Sequence, residues 1–363
     1  MRRLTRSAAV HGAGARAGRV LVAVDFGAPS LATARWVARH LAPDAELVLA
    51  HVLPVPRAPD FLRGHLRSPQ PFVREVAGPM RGGLEGLAAT LGPRRGGVRL
   101  ELRVGEPAAE LAALVAELGA DLVCVGRSRQ RGESVKLGRN TVERLLRQLQ
   151  VPLLQVTSAP DAAPSSVLAA VDGGAISERV LQSAWALAAR LEARLTALHV
   201  LDEDVRAYVR AMEVSVGAAS NAHAAEQALW GATAGWLTDA LAAAGARPGR
   251  SHAMVGHGDP GPELLAACRR SGADLLVMGR SGRDAPTPET VGSTTRLGLR
   301  AAPCPVLVVP AAPAPTEPFD GGRRGRARAA SSTAAVVVAR GPVWIDADSH
   351  TDDVPPAATS RPA

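Results

Sequence analysis

The sequence predicts an α/β fold of two doubly wound domains, each a five-stranded parallel sheet with helices on both faces. Three observations predict it. Short, continuously apolar, β-branched runs alternate with amphipathic stretches of helical period, the pattern of parallel strands covered on both sides. The pattern occurs twice along the chain. A length of 363 residues also exceeds what one hydrophobic core usually organises.

The chain opens Met1-Arg2-Arg3 and runs to residue 18 rich in Ala, Gly and Arg. Without the apolar stretch of a secretory signal it reads as a disordered basic leader. Domain 1 covers residues 19–158. Its first strand, Arg19 to Asp25, is followed by Leu31, Ala34, Val37, Ala38 and Leu41 at helical spacing, with Ser30 expected as the N-cap. Leu47 to Val52 is the second strand, with His51 near its end. After a divergent stretch, Val104-Gly105-Glu106-Pro107 closes a third strand and enters a helix. Leu122 to Gly126 and Val151 to Val156 complete the sheet.

Domain 2, residues 165–310, repeats these elements. Ser166 to Asp172 matches the first strand, Ser177 is the expected cap, and Val180, Leu181, Ala184, Leu187 and Ala188 form the helical stripe. Leu195 to Val200 brings His199 to the place of His51. Gly256 to Pro260 matches the Gly105 turn, Ala273 to Ser281 matches Ala120 to Ser128, and Cys304 to Val309 matches Val151 to Val156. Residues 311–363, rich in Pro, Ala, Gly, Arg and acidic residues, read as a disordered tail with one apolar island at Val336 to Ala339.

Composition excludes several classes. Apolar residues make up 47% of the chain, enough for two cores, but no run approaches the roughly 20 residues that cross a bilayer. Cys124, Cys268 and Cys304 are odd in number and widely spaced, which suggests neither disulfide framework nor metal cage and suits a cytoplasmic protein. The net charge of +8 is spread over both halves and both tails, so nucleic acid is not an expected partner. No Gly-x-x-x-x-Gly-Lys loop and no Ser/His/Asp set occurs.

In an open α/β sheet the ligand sits beyond the carboxyl ends of the strands, where winding reverses. With strand one beside strand four, Asp172 and Gly279 flank that crevice, as Asp25 and Gly126 do in the first domain. The loop Gly279-Arg-Ser-Gly282 continues through nine residues to Gly292-Ser293-Thr294. Glycines there permit positive φ and close ligand approach, and the helix that follows offers free N–H groups and the positive end of its dipole to a phosphate. An ordinary strand-to-helix loop is the competing reading. Likewise Asp25 and Asp172 serve either a ligand or the next turn, and His51 and His199 either a ligand or local hydrogen bonds. Gly256-His-Gly258-Asp-Pro-Gly261 spells a dinucleotide fingerprint, but it follows the third strand rather than the first and reads as a turn into a helix.

These features together resemble the universal stress protein family over residues 19 to 157 and 165 to 310. The shared motifs are a first strand ending in aspartate, a Leu-His-Val second strand, a Gly-x-Pro turn and the spaced glycine loop. The resemblance implies an adenine nucleotide, ATP or AMP, with Mg2+ as an optional companion. Asp172 and Val200 would meet the adenosine, Gly279, Gly282, Gly292 and Ser293 the phosphates, with Met278 and Thr294 adjoining. The first-domain counterparts are Asp25, Val52 and Gly126. There, however, Arg129 and Arg139 replace the glycines at 282 and 292, so the first domain is expected to be a structural partner, with Arg127, Arg129, Arg131 and Lys136 able only to attract phosphate. The family implies pairing of the two domains through Pro152 to Val156 and Pro305 to Val309, and an assembled homodimer is a further option. A stress-response regulator is the expected function. A slow ATPase or autophosphorylation at Ser293 or Thr294, and an interaction module without nucleotide, are the alternatives.

Overall fold

Continuous β-branched and leucine runs form the strands, and their alternate residues enter two cores. Val20, Val22 and Val24 of the first run join one apolar cluster, while Leu21 and Ala23 join another on the opposite face. A strand covered on both sides in this way belongs to a parallel sheet packed between helices.

The computed structural model describes residues 18–54, 70–127, 139–157, 161–205, 207, 211, 222–282, 287, 289–311 and 343–345. The first half runs β1 (Arg19–Ala23), α1 (Ala28–Trp36, continued by a π-turn at Val37–Leu41), β2 (Glu46–Pro54), α2 (Gln70–Thr90), β3 (Val98–Gly105), α3 (Pro107–Leu118), β4 (Leu122–Gly126), α4 (Arg139–Gln148) and β5 (Leu153–Val156). The second half runs β6 (Ser166–Ala170), α5 (Ser177–Arg190), β7 (Arg194–Leu201), α6 (Ala222–Ala243), β8 (Ser251–His257), α7 (Pro260–Arg270), β9 (Leu275–Gly279), α8 (Ser293–Ala301) and β10 (Val306–Val309).

Within each half the strands are parallel. β1 lies between β2 and β4, and β6 between β7 and β9. Winding therefore reverses between strands one and four of each half, as the sequence predicts. The two five-stranded sheets are continuous. β5 and β10 pair antiparallel, Leu153 opposite Val308, Leu154 opposite Leu307 and Gln155 opposite Val306. Leu153, Leu154, Val306, Leu307 and Val308 are essentially fully buried at this seam, each contributing roughly 1.5–3 kcal/mol of hydrophobic stabilisation.

Of the tail expected to lack structure, Val343–Ile345 instead forms β11, antiparallel to Ala253–Val255 on the outer edge of β8. Val-Trp-Ile has high strand propensity, and an edge strand presents unpaired N–H and C=O groups to receive it. Val336 to Ala339, the rest of the tail and the leader before residue 18 lie outside the described residues.

Both expected serine caps are corrected. Gly27 occupies the N-cap of α1 and Ile176 that of α5, neither making a side-chain cap bond. Ser30 lies inside α1 and donates to Asp25 Oδ1 at 2.6 Å, and Ser177 opens α5 and donates to Asp172 Oδ1 at 3.2 Å. Each serine falls past its helix's N-cap, where its hydroxyl donates to the strand-end carboxylate, a strong acceptor. True caps stand elsewhere: Glu106 accepts from the N–H groups of Ala108 and Ala109 at the start of α3, and Asp259 from Gly261 at the start of α7.

Candidate functional site

The second half carries a cleft of about 560 Å³ beyond the carboxyl ends of β6 and β9. That volume suits a small organic ligand. Asp172, Val200, Met278, Gly279, Gly282, Gly292, Ser293 and Thr294, the residues expected from sequence to meet a nucleotide, all line it.

Asp172 enters from the turn after β6. Its Oδ1 accepts the Gly174 N–H at 2.9 Å as well as the Ser177 hydroxyl. The aspartate thus stabilises its turn and borders the cleft at once. Asp25 holds its turn in the same way in the first half, taking the Gly27 N–H at 2.9 Å. His199 lines the cleft while its Nδ1 bonds Val171 O at 2.9 Å, and His51 Nδ1 bonds Val24 O at 2.7 Å. Local hydrogen bonds hold both histidines.

The three loop glycines do different jobs. None has a left-handed φ, so the positive φ that glycine permits is not used here, and space matters at Gly279 and Gly282. A Cβ on Gly279 would come within 2.9 Å of Ile176 Cγ2, and one on Gly282 within 3.0 Å of Asp172 Oδ2. At Gly292 the nearest atoms would be 3.5 Å away, an ordinary contact. Gly292 is the N-cap of α8, and no side chain caps that helix. Its first N–H groups and the positive end of its dipole are thus presented at the cleft wall formed by Gly292, Ser293, Thr294, Thr295 and Arg296.

Sequence reading missed Thr295 and Arg280. Thr295 is buried and donates to Gly279 O at 2.8 Å, tying the start of α8 to the end of β9. A buried threonine facing a strand end is visible only once helix and strand are packed. Arg280 stands in the loop but sends its guanidinium across the seam to Leu146 O at 2.7 Å and Leu149 O at 2.9 Å. Burial lowers its pKa, and nearby Glu289 opposes that shift.

In the first half Gly126 is required by packing: a Cβ there would lie 2.6 Å from Ser30 N. Arg127, expected as a phosphate attractor, instead bonds Leu299 O of the second half. Arg129, Arg131 and Lys136 lie outside the described residues, and only the backbone of Arg139 is described. Asp25 and Val52 keep the strand-end positions of their counterparts.

The Gly256–Gly261 motif is a turn and cap, as expected. Gly258 has φ 106°, Asp259 caps α7, and the motif follows outer strand β8 rather than a strand at the point of reversal. Cys124 lies fully buried in β4. Among the described residues, no group of three or more His, Cys, Asp or Glu is placed to hold a metal ion, and no helix is long and apolar enough to cross a membrane.

A doubly wound sheet with a cleft at its point of reversal, walled by a glycine loop and an uncapped helix start, defines an α/β protein of Rossmann-like class. Here that unit occurs as a tandem pair. Residues 17–157 and 165–310 each match the universal stress protein family, and the chain belongs to that family. Among solved structures it is similar to a universal stress protein from Archaeoglobus fulgidus, with 18% identity, a TM-score of 0.55, and coverage of 80% of this chain and 96% of that one. It is also similar to a universal stress protein from Lactobacillus plantarum, at 25% identity and a TM-score of 0.32, covering 41% and 99%. A further similar structure, at 23% identity and a TM-score of 0.29, is a universal stress protein in complex with cAMP, covering 41% and 98%. No curated protein sequence matches the chain.

Proposed function

We propose that this protein is a cytoplasmic stress-response regulator that binds one adenine nucleotide, ATP or AMP, in its second half. The observation that carries the reading is the shared cleft: Asp172, Val200, Met278, Gly279, Gly282, Gly292, Ser293 and Thr294, drawn from four separate segments, line one cavity against the uncapped start of α8. Asp172 and Val200 hold the adenosine. Gly279, Gly282, Gly292 and Ser293 hold the phosphates, whose charge the α8 dipole favours by about 0.3–1 kcal/mol. Glycine at 282 leaves the Asp172 carboxylate unobstructed, since a Cβ there would stand 3.0 Å from Asp172 Oδ2.

The lining residues fit a nucleotide, and magnesium, if it accompanies ATP, would come with the phosphates rather than be held by a cluster of carboxylates among the described residues. Among the described lining residues there is no lysine to grip the β and γ phosphates as in NTPases, which favours binding over turnover. Occupancy then alters conformation or partner choice. The first half acts as an internal partner through the β5–β10 seam, and two tandem chains can assemble further.

Calorimetric titration with ATP and AMP, with and without magnesium, tests this reading beside Gly282→Arg and Gly292→Arg, which copy the first half's loop. Binding by the wild type that both variants abolish supports it. A folded, nucleotide-free wild type that binds neither ligand overturns it in favour of an interaction module.

A further inference from the structure

Every residue that lines the cleft belongs to the second half, yet the loop that shapes it is fastened to the first. Arg280, between Gly279 and Ser281, turns its side chain away from the cleft and is 1% exposed. Its Nη1 donates to Leu146 O and Leu149 O, the carbonyls that close α4. Its backbone is held at both ends: the N–H donates to Val309 O at 2.8 Å, and the carbonyl accepts the Gly292 N–H at 2.9 Å. One residue therefore links the end of β10, the N-cap of α8 and the C-terminal end of α4.

The arrangement is reciprocal. Arg127, the counterpart after β4, donates its N–H to Val156 O at 2.8 Å and its guanidinium to Leu299 O in the last turn of α8. Arg296 in the first turn of α8 adds an ion pair to Glu143 of α4 at 3.3 Å. Terminal helix carbonyls lack intrahelical partners and carry the negative end of the dipole, so a guanidinium there is well matched. A buried arginine with two carbonyl acceptors resists displacement, because leaving its charge unpaired is costly.

We propose that α4 of the first half is a strut that positions the second half's phosphate loop through Arg280. The degenerate first half then holds the loop glycines in place for a site that it does not itself line. For its effect on ligand this inference rests on the nucleotide reading. For the ordering of the loop it does not.

Hydrogen exchange on the full chain without nucleotide, comparing the wild type with Arg280→Ala and Arg280→Lys, separates the two. In Arg280→Ala the hydrogen-bonded amides of Gly292 and Arg296, which donate to the carbonyls of residue 280 and Gly292, exchange at least about tenfold faster while β6 and β7 keep their protection. ATP affinity falls about tenfold, within the usual range for coupling between distant elements. Arg280→Lys, which keeps the charge and loses the fork, falls between. Loop protection within about twofold of the wild type in Arg280→Ala overturns the proposal. Should that variant fail to fold, Arg280→Lys decides by the same comparison, with unchanged protection again overturning it. A wild type that binds no ATP would remove the nucleotide reading and leave the exchange result to decide this one.

Discussion

Gly282 lies against Asp172 in the cleft lining so closely that a Cβ on the glycine would stand 3.0 Å from the carboxylate Oδ2. The two come from the loop after β9 and the turn after β6, the strands that flank the reversal of winding. Because Asp172 is also held by Gly174 and Ser177, it has little freedom to retreat. Gly282→Ala is therefore expected to weaken ATP binding by about tenfold, a loss near 1.4 kcal/mol. Gly292→Ala, whose Cβ meets nothing nearer than 3.5 Å, is expected to keep wild-type stability. Calorimetry and thermal melting of the pair check both.

Gly279 lines the same cleft but is packed tightly against its neighbours. A Cβ there would meet Ile176 Cγ2 at 2.9 Å and Ser281 O at 3.2 Å, so Gly279→Ala overpacks the end of β9. The expected cost is about 1–3 kcal/mol. Denaturant unfolding with and without saturating ATP measures it, and the loss is expected in both conditions.

Much of this architecture is legible in the sequence because it is repeated there. Asp25 with Asp172, His51 with His199 and Gly126 with Gly279 occupy matching positions, and the winding of a doubly wound sheet outward from its first strand places the reversal that gathers the cleft between strands one and four. What escapes sequence reading depends on direction. Ser30 and Ser177 look like caps but bond the aspartates five residues back. Arg127 and Arg280 look like loop cations, yet their side chains cross a seam between segments far apart in the chain. Phe26 and Gly173 take the same place with left-handed φ, and the histidine beside each is met differently: Phe26 packs on His51 with Gly83 making room, whereas Trp236 of α6 packs edge-on to His199. Such an exchange between loop and helix is invisible until the two are packed together.

Gln155 is a mismatch in the β5–β10 seam. Gln155 lies buried in β5 opposite Val306, and its Oε1 has no hydrogen-bond partner. Replacing it with the residue found at the same place in β10 gives Gln155→Val. Removing an unsatisfied buried carbonyl is expected to stabilise the chain by about 1 kcal/mol, read as a raised Tm at unchanged ATP affinity.

Burial pushes the Cys124 thiol above its ordinary pKa. In the folded chain it keeps its proton, whereas in the unfolded chain it ionises near 8.5. The unfolded state then binds fewer protons, so stability falls as pH rises above about 8.5, by up to about 1.4 kcal/mol per pH unit for this thiol. Below that value the contribution is constant. Urea unfolding between pH 7 and 10 is expected to show the decline, and Cys124→Ala to flatten it by that share.

On the reading proposed above, the second half alone holds an adenine nucleotide, with its phosphates at the start of α8. A crystal structure of the full chain grown with ATP and magnesium is the decisive check. Density is expected for one nucleotide per chain, adenosine beside Asp172 and Val200 and phosphates against Gly282 and the amides of Gly292 to Thr294. Nucleotide density in the first half, or a second-half cleft free of density at saturating ATP, would refute that reading.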